Sequence, residues 1–126
     1  MSEILVLMVD DEPQVRLLVR EVLARQGVGV VEARDSAGAL SLLQTLSGTV
    51  GLVIGDYRMP GMNGATLARQ VKEQFPTVPV LMVSSAAYAS ECAVADGFLA
   101  KPFAPDDLVE AVRRLARPAG AVPGGR

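Results

Sequence analysis

Residues 4–13 read Ile-Leu-Val-Leu-Met-Val-Asp-Asp-Glu-Pro, and this stretch decides the fold. Its apolar run from Ile4 to Val9 is rich in branched side chains and ends abruptly at acidic residues, which is typical of a strand buried on both faces of a sheet. Pro13 suits the first turn of a helix, where its missing N–H would have no helical partner. The stretch therefore predicts a buried strand that ends in an acidic loop and leads into a helix.

The same pattern recurs along the chain. Further short apolar runs predict four more strands, at 28–32, 51–55, 78–83 and 97–100. Apolar residues at helical spacing predict helices between and after them, with starts at Pro13, at Asp35 or Ser36, after the turn at 57–64 and at Pro105, and a short helix within 86–96. The predicted inward face of the first helix consists of Val15, Leu18, Val19, Val22 and Leu23. This alternation indicates a parallel sheet with helices on both faces.

The composition fits one domain. The chain has 126 residues, of which 50% are hydrophobic and 21% charged, so it can bury one core and is not disordered overall. A formal net charge of -2 argues against a surface built to bind nucleic-acid phosphates or anionic lipid. We expect one domain over residues 1–116 and a flexible tail or linker stub over the Gly-, Pro- and Ala-rich residues 117–126.

Several kinds of site are excluded or disfavoured. The chain has no histidine, which excludes Cys-His zinc sites and Ser-His-Asp triads, and its one cysteine, Cys92, reads as a packing residue. No Gly-x-Gly-x-x-Gly motif follows the first strand, which disfavours a nucleotide-binding fold. The N-terminal apolar run is too short for a signal peptide or a membrane span, so we expect a cytoplasmic chain without membrane association.

Polar side chains follow the predicted strands where ligands bind in parallel sheets, at the carboxyl ends. They are Asp10, Asp11, Asp56, Ser84 and Lys101. Two carboxylates about 4 Å apart repel by about 4 kcal/mol at an effective dielectric constant near 20, and a cation relieves this. Oxygen ligands without His or Cys suit Mg²⁺. We predict that Asp11 and Asp56 bind Mg²⁺ directly, and that Asp10 does so directly or through water.

The remaining two side chains suit phosphoryl transfer to Asp56. A carboxylate and a phosphorylated donor are both anionic, and the Lys101 ammonium and the cation offset their repulsion. Ser84 can donate a hydrogen bond to a phosphoryl group once it is attached. The residues therefore predict a phosphoacceptor site built from separate strand ends.

Four motifs resemble the signature of response-regulator receiver domains, in matching order over roughly residues 4–116. They are Val9-Asp10-Asp11-Glu12, the run Asp-Tyr-Arg-Met-Pro-Gly-Met-Asn-Gly at 56–64, Val83-Ser84-Ser85 and Lys101-Pro102-Phe103. The resemblance implies a flavodoxin-like three-layer α/β fold, with a five-stranded parallel sheet in the order 2-1-3-4-5 and helices on both faces. It also implies a role for each site residue: phosphoacceptor Asp56, Mg²⁺-binding acids Asp10 and Asp11, a third protein ligand in the main-chain carbonyl of Arg58, switch hydroxyl Ser84, family lysine Lys101 and aromatic switch residue Phe98.

The implied function is a phosphorylation-dependent switch of a two-component system. Its phosphoryl donor would be a histidine kinase or a histidine phosphotransfer protein, and its output would reach a downstream protein that the sequence does not identify. The domain would catalyse only its own phosphorylation and dephosphorylation and would not itself bind nucleic acid. Whether an effector domain follows and whether the chain forms a homodimer stay open.

Two departures from the family pattern stand out. Asn63 replaces the more usual Asp, which we expect to be harmless because the turn depends mainly on Gly64. The stretch from Ser84 to Lys101 is shorter than usual, so the fourth helix should be short or distorted. Phosphorylation should survive this change, whereas the usual mode of output is in doubt.

Other interpretations remain for the same residues. Taken singly, Asp10 and Asp11 can belong to a solvated loop or cap a helix, and Asp56 before its Pro-Gly turn can be structural. Ser84 can cap the next helix, Lys101 can be an exposed loop cation, and Phe98 can belong to a fixed core. A pseudo-receiver that binds proteins without phosphorylation is the alternative function. A phosphatase with an aspartyl intermediate is disfavoured, because such enzymes usually have a second acid two residues after the nucleophile, where this chain has Arg58.

Overall fold

Strands and helices alternate along residues 4–46 and 48–118, the part of the chain that the structure, a computed structural model, describes. The strands are β1 (Leu5–Val9), β2 (Gly29–Ala33), β3 (Leu52–Gly55), β4 (Val80–Ser85) and β5 (Gly97–Lys101). The helices are α1 (Pro13–Ala24), α2 (Ser36–Thr45), α3 (Gly64–Gln74) and α4 (Pro105–Leu115), with a three-residue 3-10 turn at Ala86–Tyr88. The predicted alternation is confirmed, with strand ends shifted by one or two residues.

The five strands form one parallel sheet in the order β2-β1-β3-β4-β5, which confirms the predicted topology. Val9 at the end of β1 pairs with Gly55 at the end of β3, so Asp10 and Asp56 leave adjacent strands side by side. Ser85 pairs with Lys101 on the other side of β3. The register thus brings the polar residues that follow the strands to one edge of the sheet.

The core lies in two layers, one on each face of the sheet. Helices α1 and α4 cover one face, and α2, α3 and the segment after the 3-10 turn cover the other. The central strands have apolar side chains on both faces; β3 is buried throughout and β1 is buried after its first residue, Leu5, as the continuous apolar runs predict. Within the described residues, no helix is long and apolar enough to cross a membrane.

Helix α1 is more exposed than its sequence predicts. Val19, Val22 and Leu23 are buried, whereas Leu18 is 49% exposed and its predicted place in the core is wrong. Its side chain lies at the margin of the apolar stripe, because each residue along a helix turns about 100°. Three buried residues suffice to hold α1 on the sheet.

The β4–β5 connection, residues 86–96, holds the least regular structure of the sheet's crossovers. The predicted shortening of the fourth helix is confirmed and goes further than expected, since only the 3-10 turn remains and hydrogen-bonded turns follow it. A helix over this whole segment would be about 16 Å long, roughly the length of the five-residue strand it must run back along. No residues would then remain to turn the chain at either end.

The chain after α4 packs on the sheet for at least two residues. Arg117 N donates to Gly51 O at 3.0 Å, at the edge opposite Asp56. The predicted flexible tail therefore begins with a residue that is bonded to the domain. Residues 119–126 of that tail lie outside the described residues, and its boundary stays a prediction.

Gly64 allows α3 to begin close to the end of β3. Its N–H donates to Tyr57 O at 2.9 Å, and a Cβ on this residue would overlap the Asp56 carbonyl group and the end of the Met82 side chain. Position 64 therefore needs glycine, because the Asp56 carbonyl and the Met82 side chain lie too close to leave room for a Cβ.

Replacing Gly64 with Ala should lower the free energy of unfolding by about 2 kcal/mol, since overpacked sites must shift backbone or side chains. Gly29→Ala is the matched control, because a Cβ there meets the end of the Leu5 side chain at 3.4 Å and the Ile4 carbonyl oxygen at 3.9 Å, without overlap. Urea denaturation of both variants measures the difference. Equal stability of the two variants would contradict this account of Gly64.

Candidate functional site

Asp56 lies at the centre of the polar edge, directly after β3, and is 9% exposed. Ser84 Oγ donates to its Oδ1 at 2.7 Å, and Lys101 Nζ contacts its Oδ2 at 2.6 Å. Arg58 N also points to Oδ1, at 3.3 Å. Each carboxylate oxygen therefore has a donor, supplied by β4, β5 or the loop after β3.

Asp10 is the second acid of this group and is fully buried. Its Oδ1 accepts from Glu12 N at 2.9 Å, and its Oδ2 lies 3.9 Å from Lys101 Nζ, too far for a hydrogen bond. Among the described residues, this Oδ2 is the buried side-chain oxygen that has no hydrogen-bond partner. Two carboxylates thus share one ammonium group, and one carboxylate oxygen is left without a donor.

Burial and charge shift the pKa values of the group. Burial raises the pKa of Asp10 to about 6 and outweighs the Glu12 hydrogen bond and the Lys101 charge, which lower it; the charges of Asp56 and Asp11 add to the rise. For Lys101, burial alone lowers the pKa, but the hydrogen bond to Asp56 and the nearby carboxylates outweigh it and raise the pKa. Lys101 therefore stays charged at neutral pH, and ionised Asp10 is costly.

Asp11 occupies a different position from the other two acids. It is exposed and lines a cleft next to the buried group, together with Tyr57, Arg58, Met59, Pro60, Asn63 and Tyr88. In the described residues, no three acidic, histidine or cysteine side chains stand close enough together to form a metal cluster by themselves. Of the three acids expected at this edge of the sheet, Asp10 and Asp56 lie around Lys101, whereas Asp11 faces the adjacent cleft.

Two predicted switch residues lie on the last two strands, Ser84 on β4 and Phe98 on β5. Ser84 is buried and hydrogen-bonded to Asp56, as above. Phe98 pairs with Met82 in the sheet register and is half-buried against the core layer that contains α2 and α3. It is neither fully buried nor fully exposed, so its role as a moving side chain stays a prediction.

Sequence reasoning missed three contacts that shape the site. Arg16 donates to the main-chain carbonyl of Asp10 at 2.6 Å. The rings of Tyr57 and Tyr88 stack with centroids 4.6 Å apart and planes 24° apart, linking the loop after Asp56 to the β4–β5 connection. Asn63 caps α3 by accepting from Thr66 N at 2.9 Å. Only the last had a sequence signal, since Asn and Asp are both favoured helix caps.

A parallel sheet whose carboxyl edge joins two acids, a hydroxyl and a lysine is the arrangement of a receiver-type signalling domain. The family model described as response regulator receiver domain matches residues 6–113. The chain belongs to this family.

Relatives and solved structures agree with this assignment. The chain is 36% identical over 115 residues to the C4-dicarboxylate transport transcriptional regulatory protein DctD of Pseudomonas aeruginosa, covering 86% of this chain and 24% of that protein. It is 30% identical over 120 residues to the transcriptional regulatory protein ResD of Bacillus subtilis, covering 92% and 49%. The structure of response regulator protein TrrA from Thermotoga maritima in complex with Mg(2+)-BeF matches with a TM-score of 0.81 and 31% identity, over 89% of this chain and 98% of that one. The chain thus spans less than half the length of each of these two curated relatives.

The raised pKa of Asp10 predicts a pH-dependent stability without divalent cations. The folded chain binds the proton more tightly than the unfolded chain, so this group's stabilising effect should be lost as the pH rises from about 4 to about 6. Asp10→Asn should therefore be more stable than the wild type at pH 7.5, by on the order of 3 kcal/mol, and about equal to it at pH 4.

Urea denaturation at both pH values measures this difference, with Asp11→Asn as the matched control because Asp11 is exposed. The control should differ from the wild type by less than about 0.5 kcal/mol at either pH. An Asp10→Asn variant that is less stable than the wild type at pH 7.5 would refute the prediction.

Proposed function

We propose that the chain is a phosphoacceptor switch, which receives a phosphoryl group on Asp56 in the presence of Mg²⁺ and changes conformation to regulate a partner. One observation carries the proposal: the buried Asp56 carboxylate is held between the Ser84 hydroxyl at 2.7 Å and the Lys101 ammonium at 2.6 Å. An acid in an ordinary exposed loop would have neither of these two contacts. Receiver domains as a family are signalling switches, not enzymes acting on separate substrates.

The transfer step follows from these contacts. An Asp56 oxygen forms a bond to phosphorus while the bond from phosphorus to a ring nitrogen of the donor histidine breaks, and the nitrogen keeps the electron pair. Lys101 stays beside the reacting oxygens and stabilises their negative charge. The donor in this proposal is a histidine kinase or a histidine phosphotransfer protein, and the recipient of the signal is a downstream protein.

The residues present fit a Mg²⁺ ion. The buried Asp10 Oδ2 has no donor in the described part of the chain, and a hard cation is a partner for such an oxygen. We assign the protein ligands to the carboxylates of Asp11 and Asp56 and to the main-chain carbonyl of Arg58, with Asp10 bound to the ion directly or through water. Mg²⁺ takes only one or two protein carboxylates and keeps several waters, so a preformed cluster of three acids is not required. When bound, the ion neutralises charge on the phosphoryl oxygens.

The switch would start at Ser84. Its hydroxyl has one proton and now donates it to Asp56, so a new hydrogen bond to a phosphoryl group requires the old one to break. The end of β4 would then move, and with it Tyr88, whose ring stacks on Tyr57. Phe98 lies on the neighbouring strand and would rotate inward behind Ser84. Phosphorylation thereby biases a two-state equilibrium.

A phosphorylation-independent protein-binding module is the second candidate function. The observation in its favour is the β4–β5 connection, where one 3-10 turn stands in place of the fourth helix that commonly carries signal in this family. Against it stands the buried group around Lys101. Burying two carboxylates is costly, and a module without phosphoryl chemistry has no use for it.

Incubation with acetyl phosphate and Mg²⁺ separates the two candidates. The intact mass of the wild type should rise by one phosphoryl group, and Asp56→Asn should show no rise. Asp106→Asn is the matched control, since Asp106 is an exposed acid at the start of α4, away from the site. Absence of any mass change in the wild type would favour the binding module, and a persisting change in Asp56→Asn would place the phosphoryl group elsewhere.

The tyrosine stack gives a direct measurement of the switch. The chain has two tyrosines and no tryptophan, so its near-UV circular dichroism reports largely on this pair. Beryllium fluoride with Mg²⁺, a phosphoryl mimic, should change this spectrum in the wild type and leave Asp56→Asn and Ser84→Ala unchanged. A wild-type spectrum that does not respond, although the mimic binds, would contradict the proposed movement of the β4–β5 connection.

A further inference from the structure

Arg16 makes a contact that places it behind the acidic pair. It lies on the first turns of α1 with a side chain only 16% exposed, and its Nη1 donates to the main-chain carbonyl of Asp10 at 2.6 Å. Its Nε contacts Glu32 Oε1 at 3.0 Å, near the end of β2. The guanidinium group thus joins β1, α1 and β2 at the edge of the sheet that carries the site.

We propose that Arg16 is a positioning residue of the Mg²⁺ site, which fixes the peptide unit between Asp10 and Asp11. The inference rests on the proposed function, since it assumes that these acids bind the ion. The peptide bond is planar, so the Asp10 carbonyl and the Asp11 N–H turn as one rigid unit. A donor on that carbonyl therefore constrains ψ of Asp10 and φ of Asp11, on which the relative directions of the two acidic side chains depend.

The sheet itself does not hold this carbonyl. Asp10 N donates to Ala33 O at 3.1 Å, the last backbone bond between these strands before β2 ends. Beyond the last residue of β2, the donor that the described contacts give to the Asp10 carbonyl is Arg16 Nη1. Without Arg16, the Asp10 carbonyl would lose this donor, and the bonds from Asp10 N to Ala33 O and from Glu12 N to Asp10 Oδ1 would be left to hold the turn.

The charge of Arg16 is balanced without using the acidic pair. Glu32 accepts from Arg16 and also contacts Arg20 Nη1, at 2.7 Å. Among the contacts described, the guanidinium meets Asp10 through the main chain and not through its carboxylate. Arg16 can therefore orient the two acids without competing with a cation for their oxygens.

The geometry requires an arginine. Nη1 and Nε of one guanidinium serve two acceptors that lie in different directions, and the planar group holds both at once. A lysine has one nitrogen on a flexible stem and would keep the charge without fixing both contacts. Arg20 provides a natural comparison, because it contacts the same Glu32, is 51% exposed, and has no described bond to Asp10.

Calorimetric titration of the full chain with MgCl₂, without any phosphoryl donor, tests the inference. Outer partners of metal ligands typically change metal affinity by 10–100-fold, so Arg16→Gln should weaken Mg²⁺ binding at least about tenfold. Arg20→Gln should change it less than about twofold, although it also removes a salt bridge to Glu32. Thermal unfolding of each variant fixes a common temperature at which all of them are folded.

A merely structural role predicts a different result. It would lower the melting temperature of Arg16→Gln and leave the Mg²⁺ affinity of the folded fraction within twofold of the wild type, which would overturn the inference. An equal loss of affinity in Arg20→Gln would overturn it too. If Arg16→Gln does not fold, Arg16→Lys is measured in its place; it keeps the charge, and its Mg²⁺ affinity should still fall several-fold. Unchanged Mg²⁺ binding by Arg16→Lys would also overturn the inference.

Failure of this inference is distinguishable from failure of the proposed function. A chain that binds Mg²⁺ equally with and without Arg16, and is phosphorylated on Asp56, retains its function and loses only the role of Arg16. A chain that acquires no phosphoryl group loses the proposed function, while the titration still decides the role of Arg16. A wild type that binds no Mg²⁺ at all overturns the positioning role directly.

Discussion

Two buried carboxylates that share one ammonium group are the interaction on which the site depends. Asp10 and Asp56 leave neighbouring strands, and Lys101 reaches both from the far side of β4, bonding to one and lying 3.9 Å from the other. Two carboxylates face one ammonium group, and in the described part of the chain one Asp10 oxygen has no hydrogen-bond donor. Such an excess of buried negative charge destabilises the folded chain, and it is typical of sites that bind a cation or carry out chemistry.

The β4–β5 connection is the second constraint. Its residues run back along a strand with too few positions for a helix, so its place is fixed by particular contacts. The Tyr57–Tyr88 stack holds it near Asp56, and the Asp96 carboxylate holds it at the other end by accepting from Val80 N at 2.8 Å and from Lys72 Nζ at 2.9 Å. These contacts hold the connection on the sheet, as the apolar face of a longer amphipathic helix would.

Much of the fold could be predicted because its strands are buried on both faces. A continuous apolar run such as 4–9 can be recognised without knowing its neighbours, and the alternation with helices indicates a parallel sheet. Partial burial was harder to predict. Leu18 has the spacing of a core residue and is 49% exposed, since it lies at the margin of the apolar stripe and the elements packed against α1 decide how much of that stripe is covered.

The sequence by itself determined the kinds of chemical group at the strand ends: acids, one hydroxyl and one lysine, without histidine. It also determined which strand each group follows, because the groups and the apolar runs alternate along the chain. Only the tertiary structure decided that Asp10 and Asp56 lie around Lys101 while Asp11 faces the cleft, and that Arg16 holds the Asp10 carbonyl. The physical reason is that such contacts depend on strand register and side-chain direction, which residues distant in the chain set only when they pack together.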